Sequence, residues 1–279
     1  MPILKRAKAC IHYEDSGTGE PLILLHGFSV SSRYWSETGV TAALAGRYRV
    51  IAMDLRGHGR TTVCGEPEGY DAETLADDIT ALADSLGFDR FHLLGHSAGG
   101  MVALRQAWRQ GERLLSLSLM STGPATALGH SDPQLRQQAL HLFADFYGRQ
   151  TWLQIFSHLR QLPGPLLYRM DQLPERERLW TLLMEICRDN EPGILAAFVR
   201  AFFTDRDPHL EGLRRITCPT LIVVGEHDKL FLPASDLLAR EIPRARRRVL
   251  KGVGHMTALE APGLTSATIL NFLDACRGQ

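Results

Sequence analysis

The chain has 279 residues and 44% of them are hydrophobic, which is enough to build one sizeable core with or without an insertion. Basic and acidic residues both number 31, so the formal net charge is zero and neither nucleic acid nor an anionic membrane is expected as a partner. The amino terminus has no long apolar stretch behind its positive charges, and no later stretch could span a bilayer, so we expect a cytoplasmic protein.

The first third of the chain alternates predicted strands with a predicted helix. Residues 9–13 alternate weakly between polar and apolar and predict an edge strand. Continuous apolar runs at 21–25 and 48–53 predict strands that are covered on both faces. Apolar residues at helical spacing predict a helix over 71–86, which Gly87 ends.

Ser97 lies at a tight turn between a predicted strand and a predicted helix. An apolar run stops at Gly95, and good helix formers begin after Gly99. Such a turn crowds its central residue, and these two glycines have no Cβ to collide. The turn would expose the Ser97 hydroxyl and place the Ala98 N–H at a helix N-terminus, where negative charge is stabilised. The alternative is an ordinary glycine turn whose serine only caps the helix.

The alternation breaks after a predicted strand at 114–120. Amphipathic helical pieces separated by prolines fill about 123–209, and no convincing strand is present there. The buried-strand pattern returns at 217–225 and again at 247–250, and a closing helix is predicted over about 262–275.

This pattern predicts the fold class and the domain division. Alternating buried strands and helices indicate an α/β fold with a mainly parallel sheet and helices on both faces, whose ligands bind at the carboxyl ends of the strands. We expect a core domain made of residues 1–123 and 211–279. Residues 124–210 are interpreted as an inserted helical cap.

A serine nucleophile needs a histidine base and an acid that orients the base. Asp228 follows the strand that ends at Gly225, and His255 follows the last strand, so both fall at the same sheet edge as Ser97. The order serine, acid, histidine is the one expected on this architecture. Competing acids are Glu226 and, less well placed, Asp205 and Asp207.

The strand at 21–25 ends at Gly27 and Phe28, where a backbone N–H can face the turn at Ser97. The N–H groups of Phe28 and Ala98 together would form a two-donor oxyanion hole. The alternative is that Gly27 and its neighbour His26 only shape a turn.

No cofactor is expected. The five cysteines are odd in number, lack C-x-x-C spacing and are not paired with histidine as in a zinc site, so we expect them to be reduced and structural. A phosphate-cradling loop of the type G-x-x-x-x-G-K is absent from the sequence. The sequence therefore predicts no metal, nucleotide or flavin.

Five motifs follow one another along the chain, at 25–28, 54–59, 95–100, 225–228 and 254–256. Together they resemble the α/β-hydrolase fold superfamily, in its capped esterase, lactonase and enol-lactonase branch. The resemblance implies an eight-stranded-type sheet, a helical cap and a triad of Ser97, Asp228 and His255. Serine at the turn departs from the dehalogenase and epoxide-hydrolase branches. Ala98 and Met256 depart from the Met and Trp of many carbon–carbon hydrolases.

We therefore expect a cofactor-independent serine hydrolase that cleaves a small carboxylic ester or lactone through an acyl-enzyme on Ser97. A carbon–carbon bond hydrolase or a thioesterase would use the same residues. The alternatives of another class are a lyase and a non-catalytic small-molecule receptor, because a fold does not determine a function.

Aromatic residues are concentrated in the predicted cap, and a lid over strand ends predicts an apolar chamber. We expect a small-molecule substrate with an apolar portion and a monomer or homodimer. The alternative is that most of these rings only dock the cap onto the sheet domain. The candidate pocket residues are Phe143, Tyr147, Trp152, Phe156, Phe202 and Met256.

Overall fold

The computed structural model describes residues 2–65, 67–127 and 132–277. Its strands are β1 (Ile3–Arg6), β2 (Ala9–Ser16), β3 (Glu20–Leu25), β4 (Tyr48–Met53), β5 (Thr62–Val63), β6 (Phe91–His96), β7 (Leu114–Met120), β8 (Thr220–Gly225) and β9 (Ala245–Leu250). Its α-helices are α1 (Arg33–Ser36), α2 (Val40–Ala45), α3 (Ala72–Ser85), α4 (Ala98–Arg109), α5 (Pro133–Gly148), α6 (Trp152–Gln161), α7 (Gly164–Asp171), α8 (Arg176–Cys187), α9 (Pro192–Phe202), α10 (Leu210–Arg214), α11 (Leu232–Glu241), α12 (Thr257–Glu260) and α13 (Pro262–Cys276). A short 3₁₀ helix covers Gly111–Arg113.

The strands form one mainly parallel sheet, which confirms the predicted fold class. The strand order is β1-β2-β4-β3-β6-β7-β8-β9, and the two-residue β5 pairs with β2. From β4 to β9 every neighbouring pair is parallel, whereas β2 is antiparallel to β1, β4 and β5. The carboxyl ends of the parallel strands therefore meet at one edge of the sheet.

Neighbouring residues of the central strands point into two separate cores. Ile23 and Leu25 of β3 pack with α3 and α4 on one face, and Leu22 and Leu24 pack with α2 and α13 on the other. Burial on both faces is the reason that these strands are continuous apolar runs in the sequence.

The sheet differs from the prediction at its amino-terminal side. β2 was expected at an edge, but it lies between β1 and β4 and also pairs with β5. The edge strand is β1, whose sequence Ile-Leu-Lys-Arg is too short and too charged to show a strand pattern.

Between β7 and β8 the described residues, which leave out 128–131 of the predicted cap, form helices α5 to α10 and the loops that join them. Helices α5 and α9 pack against each other. The two connections of this stretch to the sheet lie side by side, because the Asp205 carbonyl accepts hydrogen bonds from the N–H groups of Thr126 (2.9 Å) and Ala127 (2.7 Å). Across the described residues, no helix combines the length and apolarity needed to cross a bilayer.

Candidate active site

Ser97 is the single residue between β6 and α4, and its backbone is strained. Its φ of 52° and ψ of −119° are rare for a residue with a side chain. A Cβ at Gly95 would lie 2.7 Å from the Gly100 Cα, and one at Gly99 would lie 2.7 Å from the Leu25 carbonyl oxygen, so no larger residue fits at either position. The turn thus has the geometry expected from its glycines.

His255 and Asp228 are hydrogen-bonded to each other below the surface. The His255 Nδ1 lies 2.9 Å from Asp228 Oδ2, and both side chains are buried. Burial alone would raise the pKa of Asp228, but the charge and hydrogen bond of His255 and the N–H of Phe231 outweigh it, so the pKa is lowered. The ionised carboxylate accepts a hydrogen bond from the Nδ1–H of His255, which leaves the second ring nitrogen, Nε2, not bonded to Asp228.

Ser97 and His255 line the same cavity, whose volume is about 400 Å³. Among the described residues that line it, none carries an Asp, Glu, Lys or Arg side chain. Most of the wall is apolar and comes from the helices between β7 and β8, through Phe143, Phe146, Tyr147, Trp152, Phe156, Leu159, Leu166, Leu167 and Leu183.

The end of β3 approaches the turn that carries Ser97. A Cβ at Gly27 would lie 3.1 Å from the Ser97 Cβ and 3.0 Å from the His96 Nδ1, so only glycine is accommodated without a shift. Within the described parts of the chain, the N–H groups of Phe28 and Ala98 have no protein acceptor. Two backbone donors without a protein acceptor are therefore present next to Gly27 and Ser97.

The cavity contains five of the six predicted pocket residues: Phe143, Tyr147, Trp152, Phe156 and Met256. The sixth, Phe202, does not line the cavity, so the prediction for this residue is corrected. Its ring is buried and stacks on Phe198 with 4.8 Å between the ring centres, which makes it a packing residue. Helical spacing could not show which face of α9 turns towards the cavity.

The competing acids bind other groups. Glu226 is exposed and accepts the N–H of Gly252 at 2.8 Å. Asp205 binds the buried Arg105 side chain of α4 and lies 2.6 Å from the Nε2 of His209. Asp207 accepts the N–H of His209 at 2.7 Å. Among these candidates, Asp228 alone is hydrogen-bonded to His255.

The loop at 54–60 supports the site without lining its cavity. The Asp54 carboxylate accepts the N–H groups of Ser32 (2.6 Å) and Arg60 (2.9 Å). Arg56 forms a buried two-point ion pair with Asp78 of α3, at 2.6 and 2.9 Å. The loop is thereby attached to α3.

Two residues that hold the His255 loop were not identified as site residues from the sequence. The Nε2–H of His96 donates to the His255 carbonyl at 2.9 Å, and burial lowers the pKa of His96 to about 3, so this imidazole stays neutral. The Glu260 carboxylate accepts the N–H groups of Gly254 and Met256, on either side of His255. A glutamate five residues after the histidine was the only signal available, and such spacing has no specific meaning by itself.

Within the described residues, no group of three or more His, Cys, Asp or Glu side chains is placed to hold a metal ion.

Comparisons with known proteins extend over most of the chain. A family model described as alpha/beta hydrolase fold matches residues 20–262. A pimeloyl-(acyl-carrier protein) methyl ester esterase of Aeromonas hydrophila is 39% identical over 253 residues, which cover 90% of this chain and 94% of that protein. The acetyltransferase component of the acetoin cleaving system of Pseudomonas putida is 31% identical over 261 residues, which cover 91% of this chain but only 64% of that protein.

Among solved structures, the enol-lactonase from Burkholderia xenovorans matches with a TM-score of 0.79 at 21% identity, over 98% of this chain and 100% of that one. At this identity the likeness concerns the fold alone. The three names describe three different activities, so similarity does not determine the substrate.

Proposed function

Because the chain belongs to the α/β-hydrolase fold family, we propose that it is a serine hydrolase that cleaves an uncharged carboxylic ester or lactone. One observation carries the proposal: Ser97 on its strained turn and His255, which is hydrogen-bonded to the buried Asp228, line one apolar cavity. The 39% identical relative is named as a methyl ester esterase, and this name supports an ester as the substrate.

The chemistry follows from the roles of the named groups. The Ser97 Oγ attacks the carbonyl carbon while the Nε2 of His255 takes its proton, and Asp228 stabilises the imidazolium. The N–H groups of Phe28 and Ala98 stabilise the oxyanion. The tetrahedral intermediate expels the alcohol, which receives the proton from His255. Water, deprotonated by the same imidazole, then attacks the acyl-enzyme and releases the acid and Ser97.

The lining of the cavity supports an apolar acyl group. A carboxylate or ammonium placed there would lose its water without gaining an opposite charge, which is strongly unfavourable. Each methylene that enters instead contributes about 0.8 kcal/mol. Since helices α5 to α8 supply most of the wall, we assign residues 124–210 to a cap that selects the substrate.

Turnover of an activated ester and labelling by a fluorophosphonate test the proposal. The wild-type protein is expected to hydrolyse p-nitrophenyl hexanoate and to take up one label per chain. Ser97→Ala should lose both while its melting temperature stays the same, because the change removes the nucleophile and opens no core cavity. Activity above about a hundredth of wild type in pure Ser97→Ala protein would contradict the assignment of the nucleophile.

A receptor or lyase on the same fold would give a different result. A receptor would bind the ester without repeated turnover, and a lyase would release no acid from the ester panel. Either outcome in the wild-type protein would overturn the proposed activity.

A further inference from the structure

We infer that Glu260 is a positioning residue that sets the backbone of His255 in the active site, an inference that rests on the function proposed above. One carboxylate receives the N–H of Gly254 at 2.5 Å and the N–H of Met256 at 3.1 Å. These two amides flank His255. The Met256 N–H belongs to the peptide unit that follows His255, and the Gly254 N–H belongs to the unit between residues 253 and 254. The carboxylate, at the carboxyl end of the short helix α12, thus holds the backbone before and after the proposed base.

The other contacts of His255 act on its imidazole and its carbonyl. Asp228 holds the imidazole Nδ1, and the neutral His96 donates to the carbonyl oxygen. The Phe231 ring stacks on the imidazole with 5.3 Å between the ring centres. The His255 carbonyl belongs to the same peptide unit as the Met256 N–H, so His96 and Glu260 hold that unit together. Among these groups, Glu260 alone also holds the N–H of Gly254.

The loop is packed directly against the carboxylate. A Cβ at Gly254 would lie 2.9 Å from Glu260 Oε1 and 2.7 Å from the Arg169 Cβ, so residue 254 has no space for a side chain. Arg169 of α7 also donates from Nε to the Gly252 carbonyl at 2.8 Å. Helices α7 and α12 therefore both restrain the loop, α7 at Gly252 and α12 at the two neighbours of His255.

A contribution to stability does not by itself explain why residue 260 is a glutamate. Burial raises the pKa of Glu260, although the N–H groups of Gly254 and Met256 and the charges of His255 and Arg169 oppose that shift. The ionised form is less favourable at this place than in water. In Glu260→Gln one oxygen becomes an NH2 group that cannot accept a backbone N–H, so one of the two bonds is lost. The removal of the unfavourable charge offsets this loss, so we expect a melting temperature close to that of the wild type and a less well positioned His255.

The test compares Glu260→Gln and Glu260→Ala with the matched control Glu226→Gln. Glu226 also accepts an N–H of this loop, from Gly252 at 2.8 Å, but it does not flank His255. We would measure kcat and KM for p-nitrophenyl hexanoate, the rate of fluorophosphonate labelling, the melting temperature, and the proton resonance of the His255 Nδ1–H, assigned by its loss in His255→Ala.

Glu260→Gln is expected to lower kcat and the labelling rate by about 10- to 100-fold, as small misplacements of catalytic groups do, with KM nearly unchanged. The Nδ1–H resonance should move and the melting temperature should not. Glu260→Ala should lose at least as much kcat, and Glu226→Gln should lose less than about twofold.

Three outcomes would overturn the inference: wild-type kcat and an unmoved resonance in Glu260→Gln, an equal loss in Glu226→Gln, or a loss of kcat that follows a fall in melting temperature. Absence of turnover and labelling in the wild-type protein would instead refute the proposed function, and the resonance would still show whether Glu260 positions His255.

Discussion

Buried histidines should make this protein unusually sensitive to mild acid. His58 and His96 are fully enclosed, and burial, together with neighbouring imidazoles, lowers the pKa of each from 6.5 to about 3. In the unfolded chain both would take up a proton near the ordinary pKa. Between these two values the unfolded state binds more protons than the folded state, so stability falls as the pH falls from about 6.5 to about 3.

The size of the effect follows from the pKa difference. Lowering the pH from about 7 to about 5 should reduce the free energy of unfolding by about 2 kcal/mol for each such histidine. His58 and His96 together then remove about 4 kcal/mol, a large part of the 5 to 15 kcal/mol that domains typically have.

Replacement of His58 measures how much of the pH dependence of stability comes from this residue. Its ring lies edge-on to Phe198 at 4.6 Å and near Phe28, so phenylalanine suits the surroundings, although the hydrogen bond to the Arg56 carbonyl is lost. Urea unfolding of His58→Phe would be measured at pH about 7 and at pH about 5. Between these pH values its free energy of unfolding should fall by about 2 kcal/mol less than that of the wild type. The exposed His141→Gln is the control and should behave as wild type. An unchanged pH dependence in His58→Phe would refute the reasoning.

Further predictions concern the active site. His255→Ala should lose as much kcat as Ser97→Ala, and the double variant should be hardly slower, because a triad acts as a unit; multiplied losses would contradict this. Asp228→Asn should lower kcat by about 10⁴ through the wrong imidazole tautomer, whereas a greater loss in Glu226→Gln would identify Glu226 as the acid. In a series of p-nitrophenyl esters from acetate to octanoate, kcat/KM should rise about fourfold per methylene until the cavity is full, and a flat series would exclude the apolar chamber as the selector.

The central strands could be predicted because each is buried on both faces. β3, β4, β6 and β8 are apolar runs with turn residues at their ends, and this signal is local. The edge of the sheet could not be predicted in the same way. β1 is held by pairing with β2, and nothing within its own four residues indicates that partner.

The same distinction between local signals and contacts of distant residues applies to the site. Ser97 has a local signal, since a strand, three glycines and a helix surround it. The positions of Asp228 and His255 at one sheet edge follow from strand order, but the hydrogen bond between them depends on the packing of two loops. The role of Glu260 has no sequence signature, because its partners are backbone amides that every residue possesses.

The paired bonds between Asp205 and residues 126 and 127 make the helical stretch a module of the chain. The stretch leaves the sheet domain and returns to it at adjacent backbone positions. A different helical segment inserted there would therefore have to join the same two neighbouring points, whatever its length. Helices could be lengthened, shortened or exchanged there while β7 and β8 keep their register. Arg105 lies on α4, the helix that begins directly after Ser97, and it forms an ion pair with Asp205. An inserted segment that keeps Asp205 would therefore be held to α4 in the same way. With the roles proposed above, a different substrate selectivity could thus be introduced at one pair of residues while Ser97, Asp228 and His255 stay unchanged.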